Sequence, residues 1–284
     1  MTVTPKPAGG VGMDWTSMGI GILIMIAIIG GAYIMFGATS VFYALIGIIV
    51  GGALIGFGVH FVPVGGAPAA MGQAPGIATG VAMLAGGAGL AGLFGGAWAA
   101  AMVPSPGIWV VCMAGAVGGA LMMAITCMFV NVIYVYAMGI PAASGKVKTD
   151  PITGDTQTEY KSQGTEGHGL PFVSFVGGVI GGFLGGLGGT LIYYMLLENV
   201  YTDKALSDAL GASALANVTP IAVSLAGMFA IGLFLVNAVL AAYNITGTIE
   251  GPHDPKFARW PRAVVATAVA SAVCGIVAIG IVAV

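Results

Sequence analysis

The side chains of this sequence that could carry chemistry are few, and most of them are uncharged. Amide or hydroxyl groups stand inside long apolar runs at Thr126, Asn131, Ser174, Thr190 and Asn237. Oxygens of this kind can bind a hard cation such as sodium. The alternative for each one is a hydrogen bond between packed helices, which is the commoner role of a single polar residue in a membrane. Asn131 and Asn237 are the first candidates for an ion path, because an amide in apolar surroundings needs a partner.

Charged residues are absent from the middle of these apolar runs, so a cation bound there would meet only neutral ligands. Such a site binds weakly, and a carboxylate would then have to come from a partner chain. The sequence also contains no HExxH, phosphate loop or CxxC motif. We therefore expect no catalytic centre in this chain, and we expect Cys112, Cys127 and Cys274 to be buried, unreactive thiols.

Two segments rich in glycine and proline contain the remaining candidates. The first, HFVPVGGAPAAMGQAPG over His60–Gly76, is either a backbone-lined entrance at a broken helix or a connector buried between subunits. The second is the turn EGHG, which is either a docking or gating contact or a solvated turn. The docking or gating candidates in these segments are His60, Pro63, Gly65, Gly66, Pro68, Glu166, Gly167, His168 and Gly169.

The composition indicates which elements must position these residues. The chain has 284 residues, of which 58% are hydrophobic and only 6% are charged, with a mean hydropathy of +1.03. A soluble domain has about 25% charged residues, so this chain could not cover a surface that faces water. The sequence predicts an all-α, polytopic membrane helix bundle, in contact with lipid and without a basic patch for nucleic acid.

Apolar runs of about 20 residues mark membrane spans, and the chain contains seven such runs within one membrane domain over 1–284. A lead at 1–15 precedes spans one to four within 16–140, a hydrophilic loop covers 141–169, and spans five to seven lie within 170–284. The spans are Thr16–Ala38, Val41–Val59, Ile77–Met102, Ile108–Ile140, Leu170–Leu197, Pro220–Tyr243 and Ala263–Val284. The polar stretch Glu198–Thr219 predicts a short helix on the membrane surface.

The basic residues predict the orientation of the spans. Seven spans place the lead and the segments 60–76, 141–169 and 244–262 on one side of the membrane. That side receives seven of the eight basic residues, and the other side receives only Lys204. By the positive-inside rule, the N-terminus is cytoplasmic and the C-terminus is outside. Spans two to four and five to seven would then insert oppositely, as in a 3+3 inverted repeat after an extra N-terminal helix.

Glycines recur every fourth residue in the fifth span, at Gly177, Gly181, Gly185 and Gly189. In lipid, a helix face without side chains allows another helix to approach closely. We expect this span to be a packing spine near the middle of the bundle, in contact with other helices of this chain or with a sister subunit.

The residue order of two blocks, Gly58–Leu93 and Asp150–Gly189, resembles the D-subunit family of the tetrahydromethanopterin S-methyltransferase complex of methanogenic archaea. The resemblance extends from about Gly51 to the C-terminus, and span one looks like an N-terminal extension. It implies a complex that transfers a methyl group from a methyl-tetrahydropterin to coenzyme M and pumps sodium ions outward. It also implies that partner subunits carry the cobamide and that this chain, which binds no cofactor itself, assembles with the C and E membrane subunits.

Three functions stay open at this point. The favoured one is a membrane subunit that contributes to a sodium path and holds the complex together. The second is a purely structural membrane subunit, with the ion path in a sister chain. The third is a stand-alone ion or solute transporter with an inverted repeat.

Overall fold

The computed structural model describes residues 14–62, 77–132, 136, 171–211, 218–245 and 259–283. Within these ranges, the side chains of 77–85, 130–131, 171–175, 245 and 283 are not described. The described residues form eight helices and no strand, which confirms the all-α prediction. The helices are α1 (Trp15–Phe36), α2 (Ser40–Val59), α3 (Ile77–Met102), α4 (Ile108–Val132), α5 (Pro171–Asn199), α6 (Asp203–Leu210), α7 (Val218–Ile245) and α8 (Trp260–Ala283).

Seven of these helices have 20 residues or more, and each overlaps one predicted span. Six have stretches of described residues that are long and apolar enough to cross a membrane. The seventh, α3, has 26 residues and coincides with the predicted third span. The predicted fourth span extended to Ile140, whereas α4 is described to Val132, and residues 137–140 lie outside the described part of the chain.

The break between α1 and α2 follows from local backbone chemistry. Asp14 caps α1 by accepting hydrogen bonds from the hydroxyl and the backbone N–H of Ser17, and these two bonds lower the pKa of the Asp14 carboxyl. The helix ends at Gly37, whose φ of 63° is open to glycine and disfavoured for other residues. Thr39 then adopts an extended conformation as the N-cap of α2.

Helix α5 lies at the centre of the bundle, where it packs against α2, α3, α4 and α7. Helix α8 packs against α2 and α7 on one side of this group, and α1 packs mainly against α8. The central position of α5 matches the expectation for a glycine-rich spine.

Side-chain contacts show which helix ends lie together. At one end of the bundle, the ring centroids of Phe57 and Trp260 are 5.2 Å apart, and Asn244 Nδ2 donates to the carbonyl of Arg259 at 2.9 Å. At the opposite end, the hydroxyl of Tyr201 donates to the carbonyl of Ala278 at 2.9 Å. Helices α7 and α8 therefore run antiparallel, as an alternating series of spans requires.

The short helix predicted within Glu198–Thr219 is present as α6. Thr202 caps it by accepting from the backbone N–H of Ala205 at 3.3 Å, and Leu206 is its one fully buried residue. On its exposed face, Lys204 Nζ donates to Asp208 at 2.7 Å, which raises the pKa of Lys204. The location of α6 on the membrane surface stays a prediction.

Candidate functional site

The glycines of α5 bring its backbone into contact with α2 and with the residues that directly follow α2. A Cβ on Gly177 would lie 2.5 Å from the carbonyl oxygen of Phe61, and a Cβ on Gly181 would lie 2.8 Å from that of Gly58. Real Cβ atoms do not approach backbone oxygens this closely, so only glycine fits at this helix spacing. Contacts of this kind let Cα–H groups point at facing carbonyls.

The four glycines predicted at every fourth residue, here called the glycine ladder, do not stay on one face of α5. Gly185 and Gly189 face the ring of Phe234 on α7, where an added Cβ would lie 3.3 Å and 3.0 Å from ring carbons. Because four residues exceed one turn of 3.6 residues, each step rotates the ladder by about 40°. Over three steps the ladder therefore turns away from α2 and towards α7.

A second set of glycines in α5 contacts α4. A Cβ on Gly182 would collide with the carbonyl oxygen of Gly119, and a Cβ on Gly186 would collide with that of Gly115. Glycines of α5 thus pack closely against two helices of this chain, α2 and α4. On a third side, towards α7, the space beside the glycines is filled by the ring of Phe234.

A line of buried polar side chains follows the junction of α2, α7 and α8. The described residues contain five fully buried polar side chains, and four of them lie here: His60, Asn237, Thr267 and Ser271. We call these four residues the polar line. Their arrangement is produced by small residues on α2, where glycines leave room for polar groups from α8.

Asn237 is the deepest functional candidate in the polar line. Its Nδ2 donates to the hydroxyl of Ser271 at 2.8 Å, while its Oδ1 is buried without a hydrogen-bond partner among the described residues. A Cβ on Gly52 would lie 2.7 Å from Asn237 Nδ2 and closer still to Ser271 Oγ, so this glycine is what admits the pair. A buried amide oxygen without a partner costs about 1–3 kcal/mol, and a water or a cation would remove that cost.

Thr267 and His60 extend the polar line towards the end of the bundle that holds Trp260. Thr267 Oγ1 donates to the carbonyl of Ala263 at 2.9 Å, one turn back in its own helix, and packs against Gly56. The Nδ1 of His60 lies 2.8 Å from the carbonyl oxygen of Gly56. The imidazole of His60 is thus fully buried inside the chain, and its role as a docking or gating contact stays a prediction.

Thr190 lies at a different junction, where α3, α4 and α5 meet. Its hydroxyl donates to the carbonyl of Gly92 at 3.1 Å. A Cβ on Gly96 or Gly115 would collide with the Thr190 side chain. The buried Thr190 hydroxyl therefore links α5 to α3 by a hydrogen bond, and the glycines of α3 and α4 leave room for its side chain.

The other predicted site residues are not brought to the polar line. Thr126 lies on the outer side of α4, where its hydroxyl is 3.9 Å from the sulfur of Met122. The side chains of Asn131 and Ser174 lie outside the described set. The same holds for the docking candidates Pro63, Gly65, Gly66, Pro68, Glu166, Gly167, His168 and Gly169.

Sequence reasoning missed Thr267 and Ser271. Both stand in the last apolar helix four residues apart, and the same spacing recurs at Gly52 and Gly56 in α2 and at His60 directly after it. A four-residue spacing places side chains on one helix face. Two helices with matching small and polar faces were the signal that could have predicted the polar line.

Metal-binding chemistry of the usual kind is absent from the described residues, because no group of three His, Cys, Asp or Glu side chains could hold an ion. Cys112 and Cys127 are buried and Cys274 is partly buried, and all three are free thiols. A bundle of long apolar helices with only neutral or imidazole groups in its core defines a multi-pass membrane protein.

A family model described as the D subunit of tetrahydromethanopterin S-methyltransferase matches residues 40–271. The chain belongs to this family. Helix α1 precedes the matched region, in agreement with the expectation of an N-terminal extension.

Relatives with this description occur in several archaea. The D subunit of Methanosarcina mazei is 54% identical over 82% of this chain and 91% of its own length. The D subunit of Methanothermobacter marburgensis is 54% identical over 81% of this chain and 93% of its own length. The Methanocaldococcus jannaschii protein is 44% identical over 85% of this chain and 97% of its own length.

Proposed function

We propose that this chain is a membrane subunit of a complex that transfers a methyl group from methyl-tetrahydromethanopterin, or a related pterin, to coenzyme M and moves sodium ions outward. Its relatives are named as the D subunit of a tetrahydromethanopterin S-methyltransferase, and a subunit implies partner subunits. The methyl transfer itself and the cobamide belong to partner subunits in this proposal. The chain contributes a part of the sodium path and holds membrane helices together.

The main support for a sodium path is the environment of Asn237. Its Oδ1 is buried beside the hydroxyl of Ser271 and has no hydrogen-bond partner among the described residues. An amide oxygen and a hydroxyl are suitable ligands for a hard cation. A neutral pair of this kind would hold sodium only weakly, which suits a site that ions must also leave. Because the buried polar residues of the described part of the chain include no carboxylate, a change in sodium affinity would have to be imposed by a partner subunit.

The proposed orientation places the N-terminus in the cytoplasm and the C-terminus outside. Among the described residues, Arg259 and Arg262 stand at the end of the bundle that includes Trp260, and Lys204 stands at the opposite end. Under the positive-inside rule the arginine end is cytoplasmic. His60 would then be the cytoplasmic end of the polar line, with Asn237 deeper in the membrane.

Membership in a complex is tested by isolation. An affinity-tagged copy of the full chain, extracted in mild detergent, should co-purify with methyl transfer from methyl-tetrahydromethanopterin to coenzyme M. Isolation as a single chain that transports a solute in vesicles would support the stand-alone transporter instead.

The contribution of Asn237 is tested by the sodium dependence of methyl transfer in the purified complex. Asn237→Leu removes the amide while keeping a side chain of similar size, and it should raise the sodium concentration for half-maximal activity. Ser224→Ala is the matched control, because Ser224 is an exposed residue of the same helix. An unchanged sodium dependence in an intact Asn237→Leu complex would favour the purely structural alternative.

A further inference from the structure

A pocket with both apolar and polar lining opens at the end of the bundle opposite Trp260. It has a volume of about 490 Å³ and lies where α3 and α5 end and α7 begins, with α6 beside it. Its polar lining comes from Tyr193, Glu198, Tyr201, Thr202, Asp203 and Thr219. The volume leaves room for an ion together with several waters, each of which takes about 30 Å³.

The charge of the pocket is not balanced within the described residues. Glu198 and Asp203 are the charged side chains of its lining, and neither forms an ion pair there. The lysine of α6, Lys204, is paired instead with Asp208 at 2.7 Å. The pocket therefore presents two carboxylates that form no ion pair within the described part of the chain.

Tyr193 adds a hydroxyl group that opens onto the pocket from a side chain that is otherwise buried. This residue is 3% exposed, it lines the pocket, and its hydroxyl makes no hydrogen bond within the described residues. A tyrosine hydroxyl at the polar end of a buried ring can bind a ligand that enters the pocket. The hydroxyl of neighbouring Tyr201 is already committed to the carbonyl of Ala278, so Tyr193 is the tyrosine left to bind something in the pocket.

We propose that this pocket binds a hard cation with part of its water shell, with Glu198 and Asp203 supplying the charge and the Tyr193 hydroxyl a neutral ligand. Carboxylates, hydroxyls and waters are the oxygen ligands that sodium, magnesium and calcium prefer. The pocket is wide enough for contact through water, so the ion does not have to shed its whole hydration shell. If the ion is sodium, the pocket is a sodium-binding site at the outer end of the proposed sodium path. Only this assignment to sodium rests on the proposed function.

Terbium luminescence tests the binding site in the purified complex, because Tb³⁺ seeks oxygen ligands and is excited through nearby aromatic rings such as those of Tyr193 and Tyr201. The double variant Glu198→Gln, Asp203→Asn should raise the half-saturating Tb³⁺ concentration at least about tenfold, as expected for the loss of two unit charges beside an ion. Tyr193→Phe, which keeps the ring, should weaken binding about threefold, the effect of one neutral hydrogen bond.

Asp14→Asn is the matched control, because it removes an exposed carboxylate at the far end of the bundle and Asn still caps a helix. An unchanged titration in the double variant, or an equal loss in Asp14→Asn, would overturn the proposal. Both altered pocket carboxylates are exposed, so the double variant should assemble normally.

Competition then identifies the ion. Displacement of Tb³⁺ by millimolar sodium supports the site and assigns it to the sodium path, whereas displacement by calcium or magnesium alone supports a separate divalent-cation site. Displacement by none of these ions would count against a hard-cation site. The binding measurement needs no transport, so its failure is distinguishable from failure of the sodium-dependence test at Asn237.

Discussion

Gly181 and Gly185 stand one turn apart in α5, and alanine at these two positions should have different consequences for stability. A Cβ on Gly181 would lie 2.8 Å from the carbonyl oxygen of Gly58 and 2.8 Å from Cγ2 of Val62. Carbon and carbonyl oxygen normally stay about 3.3–3.6 Å apart. Helices α2 and α5 would therefore have to separate by roughly half an ångström along their contact.

The expected magnitude follows from two opposing effects. Overpacking of a close interface costs about 1–3 kcal/mol, while exchange of glycine for alanine favours a helix by up to about 1 kcal/mol. At Gly185 the nearest atom is Cζ of Phe234 at 3.3 Å, so an added Cβ overlaps its neighbour far less there than at Gly181. We expect Gly185→Ala to be neutral or slightly stabilising. The Gly181→Ala variant should have a free energy of unfolding about 1–3 kcal/mol lower than that of the Gly185→Ala variant.

The assay is SDS-induced unfolding of the purified complex, followed through the protease resistance of this chain. Both variants carry the same change in helix propensity, so the difference between them reports packing against the neighbouring helix. Equal unfolding midpoints for Gly181→Ala and Gly185→Ala would refute the close approach of α2 and α5.

Three further predictions concern hydrogen bonds and orientation. Thr190→Val should destabilise the chain by about 0.5–1.5 kcal/mol, because it removes a buried hydrogen bond and keeps the shape, whereas Thr126→Val should have little effect in the same unfolding assay; equal effects would contradict the buried role of Thr190. Tyr201→Phe should loosen the contact between the segment after α5 and the end of α8, seen as faster proteolysis near residue 201, and unchanged proteolysis would contradict it. Cysteine placed at Lys204 should react with a membrane-impermeant reagent from outside, and cysteine at Lys161 from the cytoplasmic side; the reverse pattern would overturn the orientation.

The helices were predictable from the sequence because lipid imposes a minimum length and a nearly uniform apolar composition on a spanning helix. The second helix was expected over Val41–Val59 and is found at Ser40–Val59. The largest difference at a helix start is three residues, at Trp260 instead of Ala263. Proline is favoured in the first turn of a helix, so the helix can begin at Trp260-Pro261, ahead of the long apolar run.

The polar line was only partly predictable. Asn237 was identified because an amide in an apolar run is conspicuous by itself. Thr267 and Ser271 were not, because small hydroxyl residues are common in membrane helices and become informative only when a facing glycine leaves room for them. That pairing is a tertiary property, since Gly52 lies 219 positions before Ser271 in the chain.

The glycine ladder illustrates a second limit. Its spacing predicted close helix contact, and the contacts of Gly177 and Gly181 with α2 are of that kind. The spacing alone does not predict at which glycine the contact changes from α2 to α7. That position depends on Phe234, which belongs to a helix some 50 residues further along the chain.

Sodium transport per methyl group transferred tests the central claim most directly. The purified complex, reconstituted in liposomes, would be supplied with methyl-tetrahydromethanopterin and coenzyme M while ²²Na⁺ movement and methyl transfer are measured together. We predict that Asn237→Leu lowers the amount of sodium moved per methyl group, while Ser224→Ala leaves this ratio at the wild-type value. A wild-type ratio in an intact Asn237→Leu complex would contradict a sodium path along the polar line.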